Sequence, residues 1–255
     1  MFCLNWGKIK AAFSQLTSNN AQGEYYLTDI IEWGKKQNLN VNAYILENNE
    51  EIYGINSRLN LAEATSILTR RVLHNLMVNG VTIVDPASTW ISPDTEIGQD
   101  TVVYPSTYIE GKNKIGKNCK IGPCAHLRGG VEVFDNVKIG NFVEVKKAVI
   151  KSNTNVGHLS YIGDSELGSH VNIGAGTITA NYEPLSKVKS KTTLKDNVKI
   201  GSNTVLVAPV TVEEGANIGA GSVVTKNVPA WALGLTRSPL KVFENWVRNK
   251  LEQLK

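Results

Sequence analysis

The sequence predicts a mainly β protein whose larger part is a solenoid, preceded by an α/β segment and followed by a terminal helix. Three observations lead there. Ile91, Ile97, Val103, Ile109, Ile115, Ile121, Leu127, Val133, Ile139 and Val145 recur at every sixth position without a break. Neither a helix, with a period of about 3.6, nor a lone strand, with a period of 2, explains six. A short strand plus a turn does, with one aliphatic side chain per strand pointing inward and the inward residues stacking from coil to coil. Second, Gly98, Gly116, Gly122 and Gly140 follow directly on aliphatic positions, where a corner favours a residue without Cβ. Third, the period is absent before residue 91 and fades near 229, and helical spacing takes its place at both ends.

Taken in order, Thr28 to Lys35 and Leu59 to Met77 have helical spacing. The second presents Leu61, Ala64, Leu68, Val72 and Leu76 as buried positions. Leu39 to Leu46 and Val81 to Val84 read as strands, and Asp85-Pro86 as the turn that opens the solenoid. After Val145 the inward series continues through Ile150, Val156, Ile162, Leu167, Ile173 and Thr179, with five-residue steps at 145–150 and 162–167. A last series, Leu194, Ile200, Leu206, Val212, Ile218 and Val224, keeps the step of six. Between them Asn181 to Thr193 carries Pro184 and no repeat, and reads as a loop thrown out of the solenoid, a place where function concentrates. Pro239 precedes a terminal helix over Val242 to Leu254. The expected division is 1–84, 85–229 and 230–255.

Composition narrows the class further. With 27 basic and 23 acidic side chains the formal charge is +4, which gives no reason to expect nucleic acid or a lipid surface as partner. No apolar run approaches the roughly 20 residues that span a bilayer, and Asn5 interrupts the start before a signal sequence could form. Cys3, Cys119 and Cys124 have neither disulfide-framework nor metal-ligand spacing. A cytoplasmic protein with small-molecule substrates is the expectation.

Three strands per coil of about 18 residues would put Leu127, Val145, Ile162 and Thr179 in one inward column. Arg128, Lys146 and Gly163 follow them, and His126, Glu144 and Tyr161 precede them. In the neighbouring column Asn141 falls beneath His158. Two cations one coil apart repel each other, and an anion such as a phosphate would account for both Arg128 and Lys146. A corner that tolerates large side chains, as at Tyr104 and Phe134, is the alternative. His158 falls near Tyr161 and one coil from Glu144, and a carboxylate there would fix its tautomer and raise its basicity; His126 is the rival partner for Glu144.

The blocks Gly157-His158-Leu159-Ser160-Tyr161-Ile162-Gly163-Asp164, Val171 to Tyr182, Gly140 to Lys147 and Gly201 to Val210 closely resemble one family. It is the bacterial bifunctional UDP-N-acetylglucosamine pyrophosphorylase/glucosamine-1-phosphate N-acetyltransferase, in its acetyltransferase half. The resemblance implies a left-handed parallel β-helix of hexapeptide repeats, an exception to the usual right-handed crossover. It also implies a homotrimer with sites between subunits, and acetyl-CoA as cosubstrate. Carried over by position, His158 resembles the general base and Glu144 a residue supporting it. Arg128, Lys146, Tyr161, Asn172 and Lys189 resemble the residues that hold the sugar phosphate, with Asn181 and Tyr182 in the same site. Ala175, Ser202, Ala220 and Arg237 match the acetyl-CoA groove. The loop over 183–192 runs about two residues longer than the family pattern, which makes Lys187 an alternative to Lys189.

The implied chemistry is acetylation of the amine of glucosamine 1-phosphate, with an imidazole, ordinarily titrating near neutrality, as proton acceptor. Asn19 to Asp29 and Gly54 to Leu59 resemble the closing part of the pyrophosphorylase domain, so 1–84 is expected to be a truncated nucleotidyltransferase remnant. Asn56 resembles one vestigial magnesium ligand there. The resemblance places the Gly-rich nucleotide loop and the metal-binding aspartate upstream of residue 1. UTP-dependent activity is therefore expected to be lost, with Mg2+ needed only if a complete pyrophosphorylase domain exists. The run from Pro86 to Ile121 is about two coils shorter than the family pattern. Two other classes compete: a non-catalytic trimeric relative, and a solenoid metalloenzyme of the carbonic-anhydrase type, for which His126, His158 and His170 are poorly spaced.

Overall fold

A computed structural model describes residues 2–236 and 238–253. The chain divides into two compact units, 1–64 and 65–255. The division falls within a 21-residue helix, Arg58–Val78, rather than at the expected 84/85.

The first unit contains the helix Trp6–Ile9, a 3-10 turn over Lys10–Ala12, the helix Asp29–Lys36 and a second 3-10 turn over Asn49–Ile52. The expected strand over Leu39 to Leu46 does not form. A strand needs a ladder partner, and no other extended segment of this unit pairs with it among the described residues. The long helix starts where expected because Ser57 caps it: its Oγ accepts the Asn60 N–H at 3.1 Å. Its apolar face differs from the expected one. Leu61 and Leu68 are exposed, whereas Leu73 is buried and joins Val81, Ile83 and Ile91 in the core of the second unit, with Val72 and Leu76 packed beside it.

The second unit is a parallel β-solenoid, wound from strands of two to seven residues. One face is a nine-stranded parallel sheet that begins at Thr82–Ile83 and ends at Leu233–Gly234. The solenoid thus starts before residue 85 and outlasts 229. A thirteen-stranded sheet makes the other two faces, which two long strands join: Glu144–Ile150 and Tyr161–Leu167 each round a corner unbroken. These are the places where the inward series takes five residues instead of six. Each corner is one residue shorter and is turned within the strand by a left-handed residue, Lys147 at φ +46° and Asp164 at φ +45°.

Every inward aliphatic of the six-residue series is buried, apart from Ile97, which is partly buried against the same cluster. Stacked coils lie about 4.8 Å apart, and each buried Ile or Leu contributes roughly 1.5–3 kcal/mol. The stacking also explains the corner glycines: a Cβ on Gly98 would come within 2.7 Å of the Gly116 backbone in the next coil. Another corner is turned by residues in the left-handed region, among them Asp100, Asn118, Asn136, Asn153 and Asn197, types whose short polar side chains tolerate it.

Asn181 to Thr193 leaves the solenoid as a small antiparallel hairpin, Tyr182–Glu183 against Val188–Lys189. The terminal helix runs over Trp246–Gln253, four residues later than its expected start at Val242; Leu254 lies outside the described residues. No helix among the described residues is long and apolar enough to cross a membrane.

Candidate active site

The site grows out of three adjacent columns on successive coils. In the first, Leu127, Val145 and Ile162 point inward, and the ladder pairs Val145 with both Leu127 and Ile162. The residue after each faces out: Lys146 is paired with Arg128 below and Gly163 above. The residue before each forms another outward line, with Glu144 paired to His126 and to Tyr161. The expected stacking of these residues is therefore present, set by the register of three parallel strands.

The electrostatics of this patch differ from a bare cation pair. Arg128 donates from Nη1 to Glu144 Oε1 at 3.0 Å, and its Nε lies 3.5 Å from Glu110 Oε1 on the coil below. The Glu144 hydrogen bond, with the two carboxylate charges, raises the guanidinium pKa above its ordinary value. Lys146 makes no ion pair among the described residues. His126 Nε2 stands 3.4 Å from the same Glu110 oxygen but is not aligned for a hydrogen bond. Glu144 is thus engaged by Arg128, and neither His126 nor His158 bonds to it.

His158 ends the strand Asn155–His158, directly over Asn141 in the ladder. Its backbone is pinned: the carbonyl accepts from Ser160 Oγ at 2.8 Å and from Gly176 N at 3.4 Å. The imidazole is exposed and makes no hydrogen bond among the described residues. The next residue, Leu159, has φ +49° and Phe142 one coil below has φ +54°, a conformation that costs a bulky side chain energy and gathers at functional corners. Both are exposed. Asn141 carries a buried Oδ1 without a partner beneath His158.

Three of the four residues expected at an acetyl-CoA groove share one line of the ladder. The ladder pairs Val156 with Ile173, Ile173 with Ile200, and Ile200 with Ile218. Ala175, Ser202 and Ala220 each stand two positions beyond one of these, as His158 stands beyond Val156. Asn141, His158, Ala175, Ser202 and Ala220 therefore share one column, joined by hydrogen bonds such as Asn203 N to Ala175 O at 2.7 Å and Gly221 N to Ser202 O at 2.8 Å. The residues above His158 in this column, Ala175, Ser202 and Ala220, are all small. Arg237 lies outside the described residues.

Tyr161 lies over Gly163, where a Cβ would strike the phenol ring. Its hydroxyl thus occupies the level at which Arg128 and Lys146 have no third cation. Burial raises the Tyr161 pKa, opposed by a hydrogen bond from Asn181. Asn181, itself buried, donates from Nδ2 to Asp164 Oδ2. Across the hairpin, Tyr182 and Lys189 are ladder partners, whereas Lys187 sits in the turn with φ +58°. The register therefore favours Lys189 over Lys187 as the lysine carried beside Tyr182. Asn172 is exposed on the first face between Asn155 and Lys199.

Sequence reasoning left out Glu110 and Asp164. Glu110 follows the inward Ile109 and lies one coil below Arg128 in the same outward line, so the period could have found it; Asp164 was visible only as part of the His158 motif. Asn56, in the first unit, uses its N–H on Asn60 Oδ1 at 3.3 Å. No group of three or more His, Cys, Asp or Glu able to hold a metal ion occurs among the described residues. A lone amide does not fit Mg2+, and His126, His158 and His170 do not come together as one ligand group within the described residues of this chain.

The family model for the bacterial transferase hexapeptide (six repeats) matches residues 114–147 and 191–226. The bifunctional protein GlmU of Acetivibrio thermocellus is 43% identical over 98% of this chain and 61% of its own length. That of Thermodesulfovibrio yellowstonii is 43% identical over 96% of this chain and 62% of its own. The Clostridium perfringens protein is 42% identical, with 98% and 62% covered. The chain thus spans about three fifths of the length of the curated relatives it matches. Among solved structures, a UDP-N-acetylglucosamine acyltransferase of Francisella novicida is similar at a TM-score of 0.43 and 14% identity, covering 66% of this chain and 73% of that one.

Proposed function

From the premise that the chain is a relative of the bifunctional GlmU proteins, similar to them along nearly its whole length and carrying the hexapeptide transferase repeat, we propose that it transfers an acetyl group from acetyl-CoA to the amine of glucosamine 1-phosphate. The observation that carries this reading is the shared column: an exposed imidazole at the foot of a line of small residues, beside stacked outward cations.

In this reading the sugar phosphate lies across Arg128, Lys146 and the Tyr161 hydroxyl, with Asn172, Asn181, Tyr182 and Lys189 around it. The acetyl-CoA arm runs along Ala175, Ser202 and Ala220. Fixing the phosphate fixes the distance to the amine, so these cations contribute positioning rather than chemistry. The neutral amine attacks the thioester carbon, the C–S bond breaks, and His158 takes the proton that nitrogen loses. The thiolate leaves and is protonated to free CoA, and the product is N-acetylglucosamine 1-phosphate. Glu144 acts on Arg128 first, and on His158 only through it. No step is assigned to Mg2+.

The same reading makes the active form a homotrimer. The exposed hairpin, with Leu185 at its tip and Lys189 on its second strand, supports it as a segment free to make contacts between copies. Thiol release from acetyl-CoA in the presence of glucosamine 1-phosphate tests the activity, and sedimentation tests the assembly. A stable trimer that releases no thiol would favour the non-catalytic relative.

A further inference from the structure

We propose that Asp164 is a positioning residue of the sugar-phosphate site: it holds the Asn181 amide so that Asn181 in turn fixes the Tyr161 hydroxyl. The inference rests on the reading of Tyr161 as a phosphate ligand, and deepens it.

The chain of contacts is short. Asn181 is only 8% exposed, and its Nδ2 donates to Asp164 Oδ2. An ionised carboxylate can only accept, so it fixes which end of the amide faces it. The Tyr161 hydroxyl stands over Gly163, the chain neighbour of Asp164, which leaves the second amide hydrogen for the phenol oxygen; the direction of the phenol's shift agrees. With its oxygen accepting from Asn181, the Tyr161 O–H is left to donate elsewhere. Its position over Gly163, one level above Lys146, aims that donor at an anion held by the cation column.

Asp164 occupies the corner of the strand Tyr161–Leu167 with φ +45°, as Lys147 does one coil below with φ +46°. And the Asn181 carbonyl accepts from Ser190 N at 2.9 Å, so the residue Asp164 grips is also the root of the hairpin that carries Tyr182 and Lys189. One carboxylate thus organises a phenol and the base of the hairpin that carries Tyr182 and Lys189.

The test uses the full-length protein with Asp164→Ala and Asp164→Asn. Two influences of Asp164 on Tyr161 have opposite sign. Its charge raises the phenol pKa, and the hydrogen bond from Asn181 lowers it by more. If Asp164 holds Asn181, the Ala variant loses both and Tyr161 titrates higher. The Asn variant keeps an acceptor for Nδ2 and loses only the charge, so Tyr161 titrates lower. Carbon NMR of ring-labelled tyrosine, assigned with Tyr161→Phe, reads both. In parallel, KM for glucosamine 1-phosphate should rise several-fold in the Ala variant, with KM for acetyl-CoA unchanged and substantial rescue in the Asn variant. A fall or no change of the phenol pKa in Asp164→Ala overturns the proposal. If the Ala variant fails to fold, an upward shift in the Asn variant overturns it equally. Absence of turnover in the wild type would refute the acetyltransferase reading instead, and the NMR arm would still decide the role of Asp164.

Discussion

The Glu144 carboxylate accepts a hydrogen bond from Arg128 Nη1 at 3.0 Å, across one coil of the solenoid. This pairing joins two residues that the sequence placed in separate roles, one behind the base and one under the phosphate. It means the Arg128 guanidinium is already partly neutralised, by Glu144 and more distantly by Glu110.

Replacing Glu144 with Gln should therefore act on binding. An exposed pair of this kind is weak, so KM for the sugar phosphate should fall by no more than about fivefold, at unchanged kcat. Steady-state kinetics check this. A loss of kcat by two orders of magnitude or more would instead put Glu144 behind His158.

His158→Ala should lower kcat by about 100-fold or more, the usual contribution of a positioned general base. The ring is exposed and unbonded, so the melting temperature should not move. Near-normal thiol release by a folded variant would remove His158 from the mechanism.

The groove column can be filled from the outside. Ser202→Trp or Ala220→Trp, both at exposed positions, should raise KM for acetyl-CoA while KM for the sugar phosphate stays put. Equal effects on both constants would separate this column from the acetyl-CoA arm.

Thr179 is the single polar residue of its inward column, and it has a task. Its Oγ1 accepts the Gly163 N–H at 2.8 Å in the core. Thr179→Val keeps the shape but orphans that donor, which should destabilise by about 1–3 kcal/mol. Chemical denaturation measures it; a neutral result would mean that the backbone finds another acceptor.

Glu166 bonds Lys191 at 2.6 Å, with Lys151 at 3.9 Å, and the Lys191 hydrogen bond chiefly holds its carboxyl below the ordinary value. A depressed folded-state value stabilises above the unfolded-state pKa, and that stability is lost as pH falls through the folded value. Glu166→Gln should therefore melt slightly below wild type at neutral pH, with the gap closing in acid. The effect is small because the pair is exposed. A gap that widens in acid would reverse the sign of the linkage.

Much of the solenoid was legible because its period is imposed by sterics: one aliphatic must fill each coil, and the five-residue steps mark the strands Glu144–Ile150 and Tyr161–Leu167 that round a corner whole. The stacking of Arg128 on Lys146 followed from that count. What the count could not give is side-chain choice between coils. Arg128 has Glu110 and Glu144 within reach, and which carboxylate it takes depends on rotamers, not on spacing. The same holds for Asp164, whose backbone turn has no compositional signature. Leu39 to Leu46 misled for a different reason: its β-like composition needs a neighbouring strand, and sequence pattern says nothing about whether one arrives.

Ile173 and Ile200 are ladder neighbours although the whole excursion carrying Tyr182 and Lys189 lies between them in sequence. The line that holds His158, Ala175, Ser202 and Ala220 therefore behaves as a ruler graduated in coils. Reach along it is quantised at about 4.8 Å, and loops can be lengthened, shortened or exchanged without moving any mark. The hairpin can vary freely, while the span between His158 and Ala220 changes only by adding or removing a complete coil.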